Sequence, residues 1–172
     1  MGVLICGLNG SGKSTLGRAL AESLGWRFID NEDLYFPKND PAYPYAGQRS
    51  QAEVERLLLE AVREDDRFVF AAVKGNYGDA VLPYYKGAVL VETPREARLL
   101  RVQERSYRKF GERALPGGDL YESEKWFFDL ISARPEDYAS RWLEGLHIPV
   151  LRVDGTLPVE ENVERIRSWM GE

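Results

Sequence analysis

Histidine and cysteine, the residues that most often build metal sites and disulfides, are almost missing from this chain. Cys6 is the only cysteine and His147 the only histidine among 172 residues. A single cysteine excludes an internal disulfide, and a single histidine argues against a histidine-based metal site. Because Cys6 lies in an apolar run, we expect it to be a small buried hydrophobic residue and not a reactive thiol.

Long apolar segments are also missing. No apolar run approaches the roughly 20 residues that a membrane helix requires, and the first predicted strand begins so close to Met1 that we expect no signal peptide. The net charge of −5 argues against a dedicated binder of nucleic acids or anionic membranes. We therefore expect one cytoplasmic domain over residues 1–172 with no membrane partner. No pattern in the sequence indicates the oligomeric state.

Apolar runs alternate along the chain with segments of helical periodicity. Each run is continuously apolar, which is typical of strands buried on both faces of a parallel sheet. The predicted strands are Val3–Cys6, Trp26–Ile29, Phe68–Val73, Ala88–Val91 and Pro149–Val153. The predicted helices are Lys13–Leu24, Arg95–Phe110, Pro135–Leu146, Pro158–Met170 and two that begin near Ser50 and Asp119. This order predicts a three-layer α/β/α fold around a five-stranded parallel sheet.

Two of these helices carry start signals of capping-box form. One is Ser50 to Glu53, and the other is Asp119 to Glu122. In the second helix the apolar spacing predicts four side chains that face inward, namely Trp126, Phe127, Leu130 and Ile131.

The segment Gly7–Ser14 matches the phosphate-binding pattern G-x-x-x-x-G-K-[ST], with an apolar strand before it and an amphipathic helix after it. Its glycines allow a tight turn and a close approach of phosphates, and inward-facing amides at a helix N-terminus attract an anion. We expect Lys13 to reach the β- and γ-phosphates and the Ser14 hydroxyl to ligate Mg²⁺. The predicted cofactors are thus ATP and Mg²⁺, and the predicted phosphate-binding residues are Asn9, Gly10, Ser11, Gly12, Lys13, Ser14 and Thr15.

Acidic residues directly follow the second strand. Asp30, Glu32 and Asp33 lie where the sequence resembles the small-molecule P-loop kinases, that is, shikimate kinase, gluconate kinase and the nucleoside monophosphate kinases. In the F-x-D-x-D segment of the shikimate type, the first acid orients metal-bound water and the second contacts the acceptor. Asp30 matches the first position, and Glu32 stands where that pattern has a second Asp. Asp33–Tyr35 is similar to the gluconate kinase segment, with Tyr where that family has His.

The resemblance continues in weaker matches along the chain. Lys74, Gly75 and Asn76 follow strand three, where shikimate kinases carry a glycine triplet for the acceptor. Arg134–Tyr138 is similar to the R-x-P-x-Y segment after their lid. The resemblance implies that Asp33, Lys74, Gly75, Asn76 and Arg134 bind the substrate. It also implies that Asp154, Gly155 and Thr156, after the last strand, pass beside the adenine. The full-length pattern is also similar to an uncharacterised bacterial family of P-loop ATPases.

The fourth helix carries a basic face. Arg98, Arg101, Arg105 and Arg108 are spaced to lie on one side of it, and seven Lys/Arg against three Asp/Glu between residues 95 and 113 give a local charge of +4. Phosphoryl transfer needs cations on the moving group. The related kinases place lid arginines here, which favours a catalytic role for Arg101 and Arg105. A solvated face with nearby glutamates remains the alternative reading, with equal weight for the other two arginines.

Two irregular segments are candidates for moving parts of a site. Residues 31–49 form a long connection rich in Tyr, Phe and Pro, which indicates either a flexible acceptor-binding flap or aromatic side chains that pin a loop onto the core. Residues 111–120 contain Pro116–Gly118 and are predicted to form a small lid.

These patterns together predict an ATP- and Mg²⁺-dependent kinase for a small-molecule hydroxyl or phosphate acceptor. Lys13, Asp30, Glu32, Arg101 and Arg105 are the predicted catalytic residues, and Ser14 and Asp30 the predicted metal ligands. The chain has no N-K-x-D motif, which GTPases use to recognise guanine. Glu92, after the fourth strand, matches the acidic residue that positions metal and water in ATPases. The alternative is a regulatory ATPase that acts on a macromolecular partner. A kinase of nucleic-acid ends is a third hypothesis, which the acidic balance disfavours.

Overall fold

Five parallel strands form one sheet with the order β2-β3-β1-β4-β5. The computed structural model describes every residue from Met1 to Glu172. The strands are β1 (Gly2–Cys6), β2 (Arg27–Asp30), β3 (Phe68–Ala72), β4 (Tyr85–Glu92) and β5 (Val150–Asp154). The helices are α1 (Lys13–Leu24), α2 (Asn31–Tyr35), α3 (Gln51–Glu64), α4 (Arg95–Phe110), α5 (Tyr121–Ser132), α6 (Tyr138–Glu144) and α7 (Val159–Met170). Two short 3-10 turns span Asp79–Tyr84 and Gly111–Ala114.

Both faces of the sheet are covered, as the continuously apolar strands predict. Because successive side chains of a strand point to opposite faces, the central strand β1 divides its residues between two cores. Leu4 and Cys6 pack on the face covered by α3 and α6, while Val3 and Ile5 pack on the face covered by α1 and α7. The predicted three-layer fold with a five-stranded parallel sheet is therefore confirmed.

The carboxyl ends of the strands meet at one edge of the sheet. Cys6, at the end of β1, lies beside Ala72 of β3 and Leu90 of β4, and Asp30, at the end of β2, lies beside Ala71. The turn after β1 and the acids after β2 are thereby brought to the same edge, although about 20 residues separate them in sequence. Open parallel sheets bind ligands at this edge.

Most predicted elements appear within three residues of their expected bounds, and the main addition is a short helix. Asp30 begins α2, since its side-chain Oδ1 accepts a hydrogen bond of 3.0 Å from the Glu32 amide. The rest of the segment up to Ser50 contains no helix or strand. Ser50 and Glu53 form the predicted capping box at the start of α3. No helix has the length and apolar composition that crossing a bilayer would require.

The start and the inward face of α5 differ from prediction. No side chain caps this helix, and Asp119 is instead paired with Arg113 through both carboxylate oxygens, at 2.9 and 2.8 Å. Ile131 is buried, but Trp126 and Leu130 are 67% and 43% exposed. Both side chains line an open cleft and do not pack in the core. The prediction that Trp126 and Leu130 face inward was therefore wrong.

The packing of α3 on the sheet is testable through one leucine. Leu58 is fully buried in the core beneath α3. We expect Leu58→Ala to lower the free energy of unfolding by about 2–5 kcal/mol, because the truncation leaves a cavity in a close-packed interior. Leu100→Ala is the matched control, since Leu100 is 55% exposed on α4, and it should change the same quantity by less than about 0.5 kcal/mol. Urea denaturation followed by circular dichroism measures both, and equal losses would contradict the assignment of this core.

Candidate active site

The turn between β1 and α1 is shaped by glycines in positions that other residues would not tolerate. Gly10 and Gly12 have φ values of 81° and 95°, in the left-handed region that favours glycine. A Cβ atom on Gly10 would lie 2.2 Å from the carbonyl oxygen of Arg98. The turn is therefore held tightly between the edge of the sheet and α4.

The first amides of α1 are left without partners inside the protein. Gly12 is the N-cap residue and supplies no side chain, and the first turn contains no acidic residue. The first i to i−4 hydrogen bond of the helix joins the Leu16 amide to the Gly12 carbonyl oxygen, at 2.9 Å. The amides of Lys13, Ser14 and Thr15 are thus free for an external acceptor. A free helix N-terminus with glycine-rich backbone binds phosphate well.

Lys13 has two arginines and one acid, Asp30, near it. Burial, with added repulsion from Arg105 and Arg134, lowers the pKa of Lys13 to about 8, against the opposing attraction of Asp30. Arg134 also donates a hydrogen bond of 2.6 Å from its guanidinium to Asn9 Oδ1 in the turn. The neighbouring cations destabilise the Lys13 ammonium, and a bound polyphosphate would relieve that repulsion.

The predicted acids occupy different environments. Asp30 and Glu32 both line the cleft in front of Lys13. Glu32 lies 3.3 Å from the Lys38 ammonium, and Asp33 forms a salt bridge of 2.5 Å with the same lysine. Asp33 does not line the cleft and is more than half exposed. Asp30 is therefore the predicted acid that is nearest to the phosphate turn and has no salt-bridge partner.

The residues around Lys13 suit a magnesium ion that arrives with phosphates. Ser14 and Asp30 line the same cleft, and the chain has no group of three His, Cys, Asp or Glu side chains that could hold a metal by itself. Mg²⁺ is usually bound by one or two protein oxygens together with phosphates and water. One hydroxyl and one carboxylate beside a phosphate turn fit that pattern.

Of the four arginines on the basic face of α4, Arg98 and Arg101 have partners within the protein. Arg98 is buried, forms a bidentate ion pair of 2.7 and 2.9 Å with Glu136, and donates to the Thr93 carbonyl oxygen. Arg101 donates to the carbonyl oxygens of Gly10, Ser11 and Gly155, at 3.1 to 3.4 Å.

The other two arginines have free guanidinium groups. Arg105 lines the cleft and has no carboxylate partner, while Arg108 is exposed and lies outside the cleft. The structure therefore brings Arg105, but not Arg101, together with Lys13 and Asp30 at the cleft. The residue that fills the third cationic position is Arg134, which the sequence pattern indicated only as a substrate-binding residue.

The predicted base-binding loop lies against the phosphate turn. A Cβ atom on Gly155 would lie 2.5 Å from the Ser11 carbonyl oxygen, and Arg101 bridges the two segments. The Asp154 carboxylate accepts hydrogen bonds from the amide and the hydroxyl of Thr156, at 2.8 and 2.6 Å. Residues 154–156 therefore lie beside the turn and do not line the main cleft.

The three predicted residues after β3 do not all line the cleft. Lys74 and Asn76 line the cleft, and the Lys74 ammonium lies 4.1 Å from the centre of the Tyr138 ring. Gly75 is buried, and a Cβ atom there would lie 2.6 Å from Leu4 and 2.9 Å from Trp142. Gly75 therefore has a packing position, while its two neighbours line the cleft.

Glu92 does not lie in the cleft with Lys13. Its carboxylate accepts a hydrogen bond of 2.7 Å from Arg152 on the neighbouring strand β5. Cys6 is fully buried as expected, and burial raises the pKa of its thiol to about 12.

A cleft of about 950 Å³ extends from Lys13 toward an aromatic wall. Phe36, Tyr43, Tyr45 and Phe110 form one cluster with ring centres 5.2 to 6.2 Å apart. Glu124 joins this wall to α4, since it accepts hydrogen bonds from Tyr43 at 2.9 Å and from Ser106 at 2.7 Å.

Several residues that line the cleft were not predicted from the sequence to be site residues. They are Ser106, Lys109, Phe110, Glu122, Glu124 and Trp126. Their partners are distant in the chain, so no local pattern marks them. The apolar spacing on α5 was the one available signal for Trp126, and it pointed toward the core.

Comparison with known proteins agrees with this geometry. A family model described as an AAA domain matches residues 3–125. An uncharacterised protein, YqaC of Bacillus subtilis, is 26% identical over 174 residues, which cover 96% of this chain and 95% of that protein. A shikimate kinase of Chlamydia pneumoniae is 29% identical over 125 residues, which cover 67% of this chain and 68% of that enzyme. A probable gluconokinase of Mus musculus is 49% identical over 37 residues, which cover 22% of this chain and 20% of that protein.

Solved structures match over the full length of the chain. Deoxyadenosine kinase from M. mycoides, with bound dATP, superposes with a TM-score of 0.60 at 14% identity, covering all of both chains. Shikimate kinase from Aquifex aeolicus gives a TM-score of 0.55 at 20% identity and covers 99% of this chain and 96% of its own. The fold is thus that of P-loop kinases, and the resemblance to small-molecule P-loop kinases is confirmed.

The lowered pKa of Lys13 predicts how phosphate binding depends on pH. The ammonium form binds phosphate, and a bound phosphate raises the pKa above its free value of about 8. Binding must therefore take up a proton above that pH, and the Kd for Mg·ADP should rise by up to about tenfold per pH unit from pH 8 toward 9.5. Titration calorimetry in two buffers of different ionisation enthalpy measures both quantities.

Lys13→Met is the control for this pH dependence, because it removes the titrating amine. Burial keeps the pKa values of Cys6, Tyr77 and Tyr85 above their usual range, so these neighbours stay protonated over the same interval. The variant should bind Mg·ADP weakly and with a Kd that no longer changes between pH 8 and 9.5. A wild-type Kd that is constant over this interval would contradict the role assigned to Lys13.

Proposed function

We propose that this chain, which belongs to the AAA domain family, is an ATP-dependent kinase that transfers the γ-phosphoryl group to a small-molecule acceptor. The observation that carries the proposal is that one cleft is lined by residues of the phosphate turn, by the cations and the acid that surround Lys13, and by a further set of aromatic side chains. Lys13, Arg105 and Arg134 line it together with Asp30. The kinase relatives add support, since shikimate kinase and gluconokinase both act on small molecules.

In the proposed reaction an acceptor oxygen forms a bond to the γ-phosphorus of ATP. The bond between that phosphorus and the β–γ bridging oxygen breaks, and ADP leaves with the electron pair. A hydroxyl acceptor gives its proton to Asp30 or Glu32, the two acids that line the cleft in front of Lys13. Such transfers have loose transition states with charge spread over the phosphoryl oxygens, so positioned cations contribute most of the catalysis.

Each cation has a place in this proposal. Lys13 and the free amides of α1 bind the β- and γ-phosphates. Arg105 and Arg134 stabilise the transferring phosphoryl group, since both lie near enough to depress the pKa of Lys13. Arg101 has a different role, which is to hold the phosphate turn and Gly155 in place for the nucleotide through their carbonyl oxygens.

Ser14 and Asp30 are the residues that would hold Mg²⁺. When bound with the phosphates, the ion supplies neutralisation of the charge on the β- and γ-oxygens. Asp30 Oδ1 accepts a hydrogen bond from the Glu32 amide, and its second carboxylate oxygen has no hydrogen-bond partner within the protein.

The direct test is ATP consumption with a panel of nucleosides, nucleotides, sugars and hydroxy acids. We expect at least one acceptor to stimulate ADP formation, and we expect Lys13→Ala to lower that rate by at least about 100-fold, because the variant loses a cation on the transferring group. Lys86→Ala is the matched control, since Lys86 is exposed near the start of β4, at the opposite edge of the sheet. It should retain the wild-type rate.

Two outcomes of this test would overturn the kinase proposal. One is the absence of acceptor-stimulated turnover across the whole panel. The other is hydrolysis of ATP that no small molecule stimulates but that a macromolecular partner does, because this result favours a regulatory ATPase.

Arg105 and Arg101, on the same face of α4, make a matched pair for a second test. Arg105→Ala should lower kcat by about 100-fold with little change in the Kd of Mg·ATP, because Arg105 is proposed to act on the transferring group. Arg101→Ala should mainly weaken nucleotide binding, because it releases the Gly10, Ser11 and Gly155 carbonyl oxygens. Steady-state kinetics and nucleotide titration separate the effects. The reverse result, with kcat lost in Arg101→Ala alone, would contradict the assignment.

A further inference from the structure

The half of the cleft that lies away from Lys13 is built mainly from ring systems. One wall is the cluster of Phe36, Tyr43, Tyr45 and Phe110, in which neighbouring rings contact edge to face or at a tilt. Because these rings pack against one another, the wall is preformed and presents a largely apolar surface to the cavity.

The facing wall is one side of α5. Trp126, Phe127 and Leu130 line the cleft from this helix. Trp126 is 67% exposed and Leu130 is 43% exposed, and their i, i+4 spacing places them side by side on one face. A single exposed apolar residue needs no explanation, but a contiguous patch inside a binding cleft usually contacts a ligand.

The charges of this half disfavour an anionic acceptor. Glu122 and Glu124 line it from α5 and repel a carboxylate. The arginines that line the cleft, Arg105 and Arg134, both lie near enough to Lys13 in the phosphate turn to lower its pKa. A small hydroxy acid needs an arginine or lysine placed for its carboxylate, and no arginine is left for that purpose.

Besides Lys13, two lysines line the cleft, and both lie against aromatic rings. The Lys109 ammonium lies 4.4 Å from the centre of the Tyr45 ring and donates a hydrogen bond of 2.8 Å to the Tyr45 hydroxyl. The Lys74 ammonium lies 4.1 Å from the centre of the Tyr138 ring. Both ammonium groups therefore already interact with aromatic side chains, and we do not assign an anion site to either of them.

We infer that the acceptor is an uncharged compound with a flat aromatic or heteroaromatic ring and a hydroxyl group, of the nucleoside type. The ring lies between the aromatic cluster and Trp126, its hydrogen-bond donors face Glu122 and Glu124, and its hydroxyl points toward Asp30 and the phosphate turn. This inference rests on the proposed kinase function for the transfer step, but the binding of the ring does not require that step.

Binding is tested with the phosphate turn already filled. The protein is saturated with Mg²⁺ and a non-hydrolysable ATP analogue, so that an added nucleoside can enter only the remaining part of the cleft. Adenosine and thymidine are the purine and pyrimidine probes, and shikimate and gluconate are the acidic, non-aromatic probes. Calorimetry should detect binding of at least one nucleoside and of neither acid.

The role of Trp126 is tested with substitutions at that position. Trp126→Ala should raise the Kd of the bound nucleoside by about tenfold, because stacking of a base on an aromatic side chain is lost, and Trp126→Phe should restore most of the affinity. Tyr107→Ala is the control, since Tyr107 is an exposed aromatic residue of α4 outside the cleft. It should leave the Kd unchanged. Urea denaturation verifies that each variant remains folded.

The results separate this inference from the proposed function. Turnover of shikimate or gluconate that is unaffected by Trp126→Ala would overturn the inference and leave the kinase proposal standing. Nucleoside binding that depends on Trp126, without any ADP formation from ATP, would support the inference and count against the kinase proposal. Failure of every nucleoside to bind the saturated protein would overturn the inference.

Discussion

The carbonyl groups of the phosphate turn are held from outside, and this constraint determines where its amides point. Thr93 donates a hydrogen bond of 3.1 Å to the Ser11 carbonyl oxygen, and Arg101 donates to the same oxygen and to that of Gly10. The Gly10 and Ser11 carbonyl oxygens are thus held by hydrogen bonds from Thr93 and from Arg101 of α4. The first amides of α1 have no such partner and stay available to an anion. An anion site made of backbone requires this separation of donors from acceptors.

The electrostatics of the site are those of a receptor without its anion. The chain carries a net charge of −5, yet Lys13, Arg105 and Arg134 meet at the phosphate turn with Asp30 as the opposing charge. Burial disfavours the Lys13 ammonium and the two arginines add repulsion, and this cost in free energy appears as the lowered pKa of Lys13. A polyphosphate would offset that cost, so the local charge favours nucleotide binding although the overall charge does not.

The far side of the cleft depends on contacts between elements that are remote in the chain. Glu124 of α5 accepts hydrogen bonds from Tyr43 in the segment after α2 and from Ser106 of α4. Arg113 adds a second link, since it pairs with Asp119 and donates to the Ala42 carbonyl oxygen. The predicted lid and the predicted flap are therefore joined in this structure. The rings of the aromatic segment pack on one another and on Phe110 and also line the cavity, and acceptor binding by this segment stays a prediction.

Patterns in the sequence were enough to predict the parallel sheet, the chain order of the elements and the phosphate turn. These features follow from local rules, because apolar runs, helical spacing and a glycine pattern each act within a few residues. Which side chains meet depends instead on how the elements pack. The tertiary structure assigned Arg101 to the carbonyl oxygens of the turn and Arg105 to the cleft, although both belong to one helical face. It also turned Trp126 toward the cavity. The direction in which α4 and α5 pack against the edge of the sheet controls these choices, and no spacing within a single helix encodes that direction.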